Sequence, residues 1–139
     1  MERLPNTELL ALVASYLGTI EGRKRFQKIV FLLKEESAVQ FTYPFTSYLY
    51  GPYSSRLQDD IDILVRTGNL QEEKAGSLFR YKITDLGRKN AHQIERTYRQ
   101  HLAKDLRGHL KDLQQQDTEE LVNRSKRIMN KKIKHNIFA

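Results

Sequence analysis

Apolar residues recur at helical spacing in the first quarter of the chain and predict two helices. The first helix is predicted over residues 8–17 and ends at Gly18. The second is predicted over residues 23–36, because its apolar positions from Phe26 to Leu33 follow the three- and four-residue steps of a helix. Each helix therefore has a face suited to a hydrophobic core.

The middle third changes between strand-like and helical patterns. Residues 45–50 are aromatic and β-prone and predict a short strand. Pro52 ends this strand, because the residue before a proline is disfavoured in a helix and proline favours a turn. Ser54 or Ser55 then caps a helix that ends at Gly68.

Two further strands are predicted over residues 69–73 and 78–83. Residues 74–77 join them in a hairpin, and Thr84 caps the helix that follows. Helix, strand, hairpin, strand and helix follow one another here as in the closing half of a winged helix-turn-helix domain.

The C-terminal region is predicted to begin with one long helix over residues 85–115. One narrow apolar stripe runs along it: Ile94, Tyr98, Leu102, Leu106, Leu110 and Leu113. A narrow stripe on a long charged helix usually meets a partner helix. That partner is either the last helix of the same chain, which begins at a capping box of Asp117 and Glu120, or the same helix of a second subunit. We favour the second reading and expect a homodimer.

These elements predict an α+β fold that is mostly α. A winged helix-turn-helix domain is expected over residues 1–87, and long C-terminal helices over residues 88–139 supply a dimerisation surface and a basic tail. Winged helices commonly lay their last helix and hairpin against a duplex, which makes nucleic-acid binding the first hypothesis.

Composition narrows the class of protein. Apolar residues make up 39% and charged residues 29% of the 139 positions, which favours one soluble globular protein. The longest apolar run, residues 29–33, is far shorter than the roughly 20 residues of a membrane-spanning helix. Cysteine is absent, so disulfides and thiolate chemistry are excluded. We expect a cytoplasmic protein that has no membrane partner.

Most of the net charge of +7 lies beyond the predicted winged domain. Residues 1–84 carry eleven Lys and Arg against ten acidic residues, whereas residues 85–139 carry thirteen against seven. The last cations are Arg124, Lys126, Arg127, Lys131, Lys132 and Lys134. Such a block suits a polyanion, and a solvated basic tail is the alternative.

A second group of cations begins the second helix: Arg23, Lys24, Arg25 and Lys28. They lie near the positive end of the helix dipole, where a compensating anion is expected. A phosphate is one such anion, and a carboxylate such as Glu21 is the alternative. Lys74 and Arg80 on the predicted hairpin extend the basic surface.

The helix after Pro52 combines features for and against contact with DNA. Ser54, Ser55 and Arg56 at its start suit phosphates or base edges. Three carboxylates then follow: Asp59, Asp60 and Asp62. Each is repulsive toward a nearby phosphate by about 1 kcal/mol at partial screening. We therefore expect phosphate contacts to dominate over base-specific readout.

Aromatic side chains accompany these cations. Four tyrosines lie close together between residues 43 and 53: Tyr43, Tyr48, Tyr50 and Tyr53. Single-stranded nucleic acid would need such stacking faces. The alternative is that the rings pack at the edge of the core with their hydroxyl groups outward.

The chain carries little that suggests catalysis. Its four histidines show no HExxH spacing, and no glycine-rich phosphate loop or nucleophile elbow is present. Glu72 and Lys74, with Asp62 upstream, form only a short nuclease-like pattern that charged hairpins produce by chance. We predict no enzymatic activity, no metal site and no cofactor.

Several segments together resemble the YwgA-type family. They are residues 22–33, with Arg-Phe-Gln-Lys; residues 48–54, with Gly-Pro-Tyr-Ser; residues 68–70; and residues 81–87, with Ile-Thr-Asp-Leu-Gly. The resemblance covers roughly residues 7–90 and implies a winged-helix fold; the family is largely uncharacterised. More loosely, the chain resembles Panacea-type antitoxin domains and, at its wing, PadR-like regulators.

We therefore predict a winged-helix protein that binds double-stranded DNA and regulates transcription. The alternative is a protein-interaction module of the same fold, such as an antitoxin or an adaptor, which the acidic face of the third helix favours.

Overall fold

The computed structural model describes residues 4–138 and the side chains of residues 4–135. The helices are α1 (Asn6–Leu17), α2 (Arg23–Glu36), α3 (Ser55–Arg66), α4 (Asp85–Thr97), α5 (Gln100–Gln114) and α6 (Thr118–Phe138). The strands are β1 (Thr19–Glu21), β2 (Thr46–Tyr48), β3 (Gly51–Tyr53), β4 (Leu70–Ala75) and β5 (Leu78–Ile83). The fold is α+β and mostly helical, which confirms the predicted class. None of the helices in the described part of the chain is long and apolar enough to cross a membrane.

The larger sheet is antiparallel and has the order β1-β5-β4. Ile20 on β1 lies opposite Tyr81 on β5, and both side chains are buried. The sequence pattern does not predict β1, because three residues are too few to show an alternation of apolar and polar positions. β1 forms because β5 offers an open edge beside it.

β2 and β3 form a separate hairpin, here called the first hairpin, in which Tyr48 lies opposite Gly51. The prediction of a single strand over residues 45–50 is therefore wrong. Pro52 does not end a strand but lies within β3, opposite Ser47. A proline is tolerated there because β3 pairs with β2 alone and keeps a free edge. β4 and β5 form the second hairpin, close to the predicted bounds.

α1 and α2 form the centre of the molecule. Six consecutive residues of α1, Leu9 to Ala14, and eight of α2, Phe26 to Leu33, are buried. Because each run exceeds one helical turn, every face of both helices is covered there. α4 and α5 cover α1, while α6 lies across α2 and β3.

The apolar stripe of the C-terminal region is used within the chain. Leu106, Leu110 and Leu113 are buried in the same core as α1 and α2. Ile94 and Tyr98 pack against that core, and Leu102 is half-buried. The stripe therefore does not form a free seam for a second subunit. Its partners are α1 and α2, which neither of the two predicted arrangements included.

The predicted helix over residues 85–115 is interrupted. Tyr98 and Arg99 have extended backbone angles and separate α4 from α5. Thr97 contributes to the break, because its Oγ1 donates to the carbonyl oxygen of Ile94 at 2.8 Å and so competes with the helical bonds. The break lets α5 change direction and pack on α1 and α2, so the prediction of one continuous helix is wrong.

The predicted helix caps are confirmed. Ser54 Oγ accepts from the amide of Leu57 at 3.2 Å, and Thr84 Oγ1 accepts from the amide of Gly87 at 3.0 Å. Asp117 and Glu120 exchange side-chain and backbone bonds as a capping box. A Cβ at Gly87 would overlap the carbonyl oxygen of Asn69, which explains the glycine in the Thr-Asp-Leu-Gly step.

α4 to α6 belong to the same hydrophobic core as the helices of the first half. The predicted boundary between residues 1–87 and 88–139 stays a prediction. Residues 1–3 and 139, at the outer ends of those ranges, lie outside the described residues.

Candidate nucleic-acid interface

The first hairpin presents apolar side chains to solvent. Tyr48, Leu49 and Tyr50, here called the apolar tip, are 63%, 77% and 52% exposed. Leu49 and Tyr50 form the two-residue turn, and Gly51 follows with φ of 91°, a conformation that favours glycine. Contiguous apolar side chains this exposed commonly mark a binding surface.

Two buried polar side chains of α2 hold the first hairpin in place. Gln27 Nε2 donates to the carbonyl oxygen of Ser54 at 2.9 Å, and Gln27 Oε1 accepts from the amide of Ser54 at 2.9 Å. Lys28 Nζ donates to the carbonyl oxygen of Pro52 at 2.9 Å. Gln27, Lys28 and Ser54 are buried, so water cannot replace a lost hydrogen bond there. Losing one of these bonds would leave a buried polar atom without that partner. The Gln-Lys pair of α2 therefore fixes the Gly-Pro-Tyr-Ser segment.

Lys28 is 2% exposed and is a poor phosphate ligand, which corrects one predicted contact. Its charge is nevertheless close to two other cations. Burial, with smaller contributions from Lys24 and Lys126, lowers the pKa of Lys28 to about 8. Lys28 is therefore largely charged at neutral pH and loses its proton just above it.

Three lysines converge on the first hairpin: Lys24, Lys28 and Lys126, here called the lysine cluster. A Cβ placed on Gly51 would lie 3.3 Å from Lys126 Cγ and 3.5 Å from Lys28 Cε. Lys24 Nζ lies 3.9 Å from the centre of the Tyr50 ring. Within the described part of the chain, no carboxylate forms an ion pair with any of these lysines. The cluster thus combines positive charge with an exposed aromatic ring.

Two of the three cations of the second hairpin, Arg80 and Lys82, are paired with acids. Arg80 Nε lies 2.9 Å from Glu21, and its guanidinium also lies 3.9 Å from Glu73. Lys82 Nζ lies 4.0 Å from the same Glu73. Lys74 is exposed and has no ion pair among the described residues. Of the two cations predicted to bind at this hairpin, Arg80 is therefore neutralised and Lys74 is not.

Arg23 belongs to the same neutralised group. Its guanidinium carbon lies 3.9 Å from the centre of the Phe79 ring, and Nε donates to Tyr81 Oη at 3.1 Å. The hydrogen bond from Arg23 to Tyr81, with Glu72 3.9 Å away, raises the pKa of Arg23. Arg23 therefore ties the start of α2 to β4 and β5.

Arg25 joins α2 to the end of α5. Its Nη2 donates to the carbonyl oxygens of Leu113 at 3.4 Å and Gln114 at 3.1 Å, at the end of α5. A cation there complements the negative end of the helix dipole. Burial lowers the pKa of the half-buried Arg25, and Asp117 opposes that shift.

α3 is less acidic toward solvent than its sequence suggests. Asp60 accepts from Tyr43 Oη at 2.5 Å, and Asp62 accepts from Gln58 Nε2 at 3.1 Å. Asp59 is exposed. At the start of the helix, Ser54 is buried and its Oγ caps the helix, so a predicted phosphate contact by Ser54 is not available. Ser55 and Arg56 are exposed.

Some of the C-terminal cations form ion pairs and others do not. Arg124 lies 2.7 Å from Glu36, and Lys132 lies 2.7 Å from Glu35, so both pairs join α6 to α2. Lys126 joins the lysine cluster. Arg127 and Lys131 are exposed and have no ion pair among the described residues.

The structure therefore sorts the predicted site residues into three groups. Lys24, Lys28 and Lys126 come together at the first hairpin. Exposed and not ion-paired within the described chain are Ser55, Arg56, Lys74, Arg127 and Lys131. Engaged inside the fold are Arg23, Arg25, Ser54, Arg80, Arg124 and Lys132.

The four tyrosines do not share one environment, so neither a common stacking role nor a common core role describes them all. Tyr43 is buried, whereas Tyr48 and Tyr50 are exposed. Leu49, the most exposed of the apolar tip, was missed because the segment was interpreted as one strand. A glycine directly after two turn residues was the available indication of a hairpin. Gln27 was also missed as the residue that fixes Ser54, since the pairing spans 27 positions.

Comparison with known proteins supports the resemblance in coarse form. The chain is 38% identical over 81 residues to the uncharacterized protein YwgA of Bacillus subtilis (strain 168). The match covers 54% of this chain and 47% of YwgA, so the chain spans about half the length of the curated relative it matches. No family model and no solved structure matches the chain. The similarity supports the label YwgA-like and carries no activity with it.

Proposed function

We propose that this protein binds double-stranded DNA through phosphate contacts at the first hairpin and regulates transcription in the cytoplasm. The observation that carries the proposal is the lysine cluster, whose charge is not cancelled by an ion pair within the described chain. Three ammonium groups held close together repel one another, and a polyanion relieves that repulsion.

The topology supports a winged helix-turn-helix as the scaffold. α1, β1, α2, α3, β4 and β5 occur in this order, with the first hairpin inserted between α2 and α3, and β1 pairs with β5 of the second hairpin. In this proposal α3 follows the first hairpin and β4 and β5 form the wing. The ion pairs of the wing shift the expected phosphate contacts away from it, toward Lys24 and Lys126.

Salt-dependent binding of a labelled duplex of arbitrary sequence tests the proposal. We expect affinity to fall steeply between about 50 and 200 mM salt. Replacing Lys24 and Lys126 by alanine should lower affinity about tenfold and reduce the salt slope by about two. The matched control replaces Lys104 and Lys111, two exposed lysines of α5, and removes the same charge.

Two results would overturn the proposal. One is that the wild-type protein does not bind the duplex at low salt. The other is that the α5 control loses as much affinity as the cluster variant, which would make the attraction a property of net charge alone. Circular dichroism of each variant checks that the fold is kept.

A protein-interaction module is the second candidate function, and the exposed face of α3 favours it. Asp59 and Ile63 lie one turn apart on that face, and both are exposed. Reversing charge at Asp59 together with Ile63→Ala should release a co-purifying protein and leave duplex binding unchanged. Asp60 is unsuitable for this test because it accepts the Tyr43 hydrogen bond.

The homodimer stays a prediction. Because Leu106, Leu110 and Leu113 are buried inside one chain, a dimer would have to use another surface. Sedimentation equilibrium of the wild-type protein tests the oligomeric state directly.

A further inference from the structure

The apolar tip is exposed, and the hairpin that carries it is bonded to α2. The side chains of Gln27 and Lys28 on α2 form hydrogen bonds with the backbone of Ser54 and Pro52. The ring of Tyr48 packs edge-on against Tyr53, with 5.4 Å between the ring centres. A group that is already ordered loses little conformational entropy when it binds a ligand. The bonds to Ser54 and Pro52 therefore anchor the hairpin that carries the tip, which lowers the entropy cost of a contact there.

Tyr50 joins the apolar tip to the lysine cluster. Lys24 Nζ lies over its ring at 3.9 Å, yet 52% of Tyr50 stays exposed. A planar apolar group that packs on the exposed part of Tyr50 would place any attached anion beside Lys24. Leu49, which is 77% exposed at the turn, adds apolar surface next to it.

The charge of the surroundings selects among possible occupants. A cationic partner would be repelled by the lysine cluster, and a neutral apolar partner would leave its charge uncompensated. The occupant that fits carries planar apolar faces and regularly spaced negative charges. A nucleic acid has both, but in a perfect duplex the faces of the bases are already stacked on one another. Only unpaired nucleotides offer those faces to a side chain.

We infer that the apolar tip is a stacking site for unpaired nucleobases, with the phosphates of the same strand on Lys24 and Lys126. The inference rests on the proposed DNA binding and deepens it: the same lysines hold the phosphates of a duplex, and binding is tighter where a stretch of the strand is unpaired, because the tip can then stack on its bases. Tyr48 and Tyr50 supply the stacking faces, and Leu49 packs against a base or sugar.

The test compares three probes at one salt concentration: oligothymidylate, a fully paired duplex, and the same duplex with an internal unpaired stretch. We expect wild-type protein to bind both unpaired probes at least tenfold more tightly than the paired duplex. Replacing Tyr48 and Tyr50 by alanine should weaken binding to the unpaired probes by about ten- to a hundredfold, since stacking is worth about 1–3 kcal/mol per base. Binding to the paired duplex should change less than about threefold.

Two further variants separate stacking from a loss of fold. The double change Tyr48→Phe and Tyr50→Phe keeps both rings and should retain binding to the unpaired probes. Leu86, 48% exposed at the start of α4, is the control for loss of an exposed apolar side chain outside the tip, and Leu86→Ala should not affect any probe. A 2-aminopurine in the unpaired stretch should change its fluorescence with wild-type protein and with the phenylalanine variant, but not with the alanine variant.

Each contrary result has a distinct meaning. If the alanine variant binds all three probes as the wild type does, the tip does not stack on bases, and the duplex binding of the proposed function stands. If poly-glutamate competes as well as oligothymidylate and depends equally on the tip tyrosines, the site takes an acidic polypeptide and the inference fails. If no probe binds at low salt, both the inference and the proposed function fail.

Discussion

The two hairpins of this protein are both antiparallel, but they present different side chains to solvent. In the second hairpin, Arg80 and Lys82 lie beside Glu21 and Glu73. In the first, the adjoining lysines have no ion pair among the described residues, and the turn exposes apolar side chains. Counting cations along the sequence does not distinguish the two. Whether each cation has a carboxylate within reach in the folded chain decides which hairpin attracts an anion.

The hairpins also differ in what holds them. The second gains a third strand, β1, along β5. The first has only two strands and depends on buried side chains of α2 that bond its backbone. Because α2 bonds to the backbone of this segment, the hairpin does not depend on the side chains of its turn. Those side chains are therefore available to contact a ligand.

Removing the support of the first hairpin should produce the largest effect. Gln27→Ala leaves the buried amide of Ser54 without an acceptor, although the Ser54 carbonyl keeps the amide of Gln58. We expect the free energy of unfolding to fall by about 2–3 kcal/mol, measured by urea denaturation. Arg80→Ala, which breaks a partly exposed ion pair of the second hairpin, should cost less than about 1 kcal/mol. Equal costs would show that the two hairpins do not differ in their support.

Freeing the cations of the second hairpin should make it resemble the first. Glu21→Gln with Glu73→Gln leaves Arg80 and Lys82 without their carboxylates. We expect affinity for duplex DNA to rise about three- to tenfold in a binding titration, because two cations of the second hairpin lose their carboxylate partners. The charge-matched control is Asp105→Asn with Asp112→Asn on α5, which should give little gain. If both pairs of substitutions give the same rise, the position of the charges on the second hairpin has no role.

The pH dependence of binding should produce the smallest effect. Lys28 is charged below about pH 8 and loses its proton in the folded protein as the pH rises through that value. Because an anion favours the charged form, affinity for DNA should fall about threefold between about pH 7 and about pH 9. Lys28→Met keeps the aliphatic stem and should abolish this step. A variant that keeps the full step would assign it to another group.

The sequence alone determined the features that depend on residues close together along the chain. The bounds of α2, residues 23–36, were predicted correctly because its apolar periodicity is strong. The caps at Ser54, Thr84 and Asp117 were predicted because each depends on residues within one turn. The α+β class and the second hairpin follow from patterns of similarly short range.

Contacts between distant residues were decided only by the tertiary structure. The apolar stripe of the C-terminal region predicts that something covers it, but periodicity does not say that α1 and α2 of the same chain do so. In the same way, Lys24 and Lys126 are about a hundred positions apart, and only the packing of α6 across α2 and β3 brings them to one hairpin. Charge pairing acts over a few ångströms in space, whereas the sequence orders residues only along the chain. Which residues are basic is therefore known from the sequence, and the fold decides which of them remain available to bind an anion.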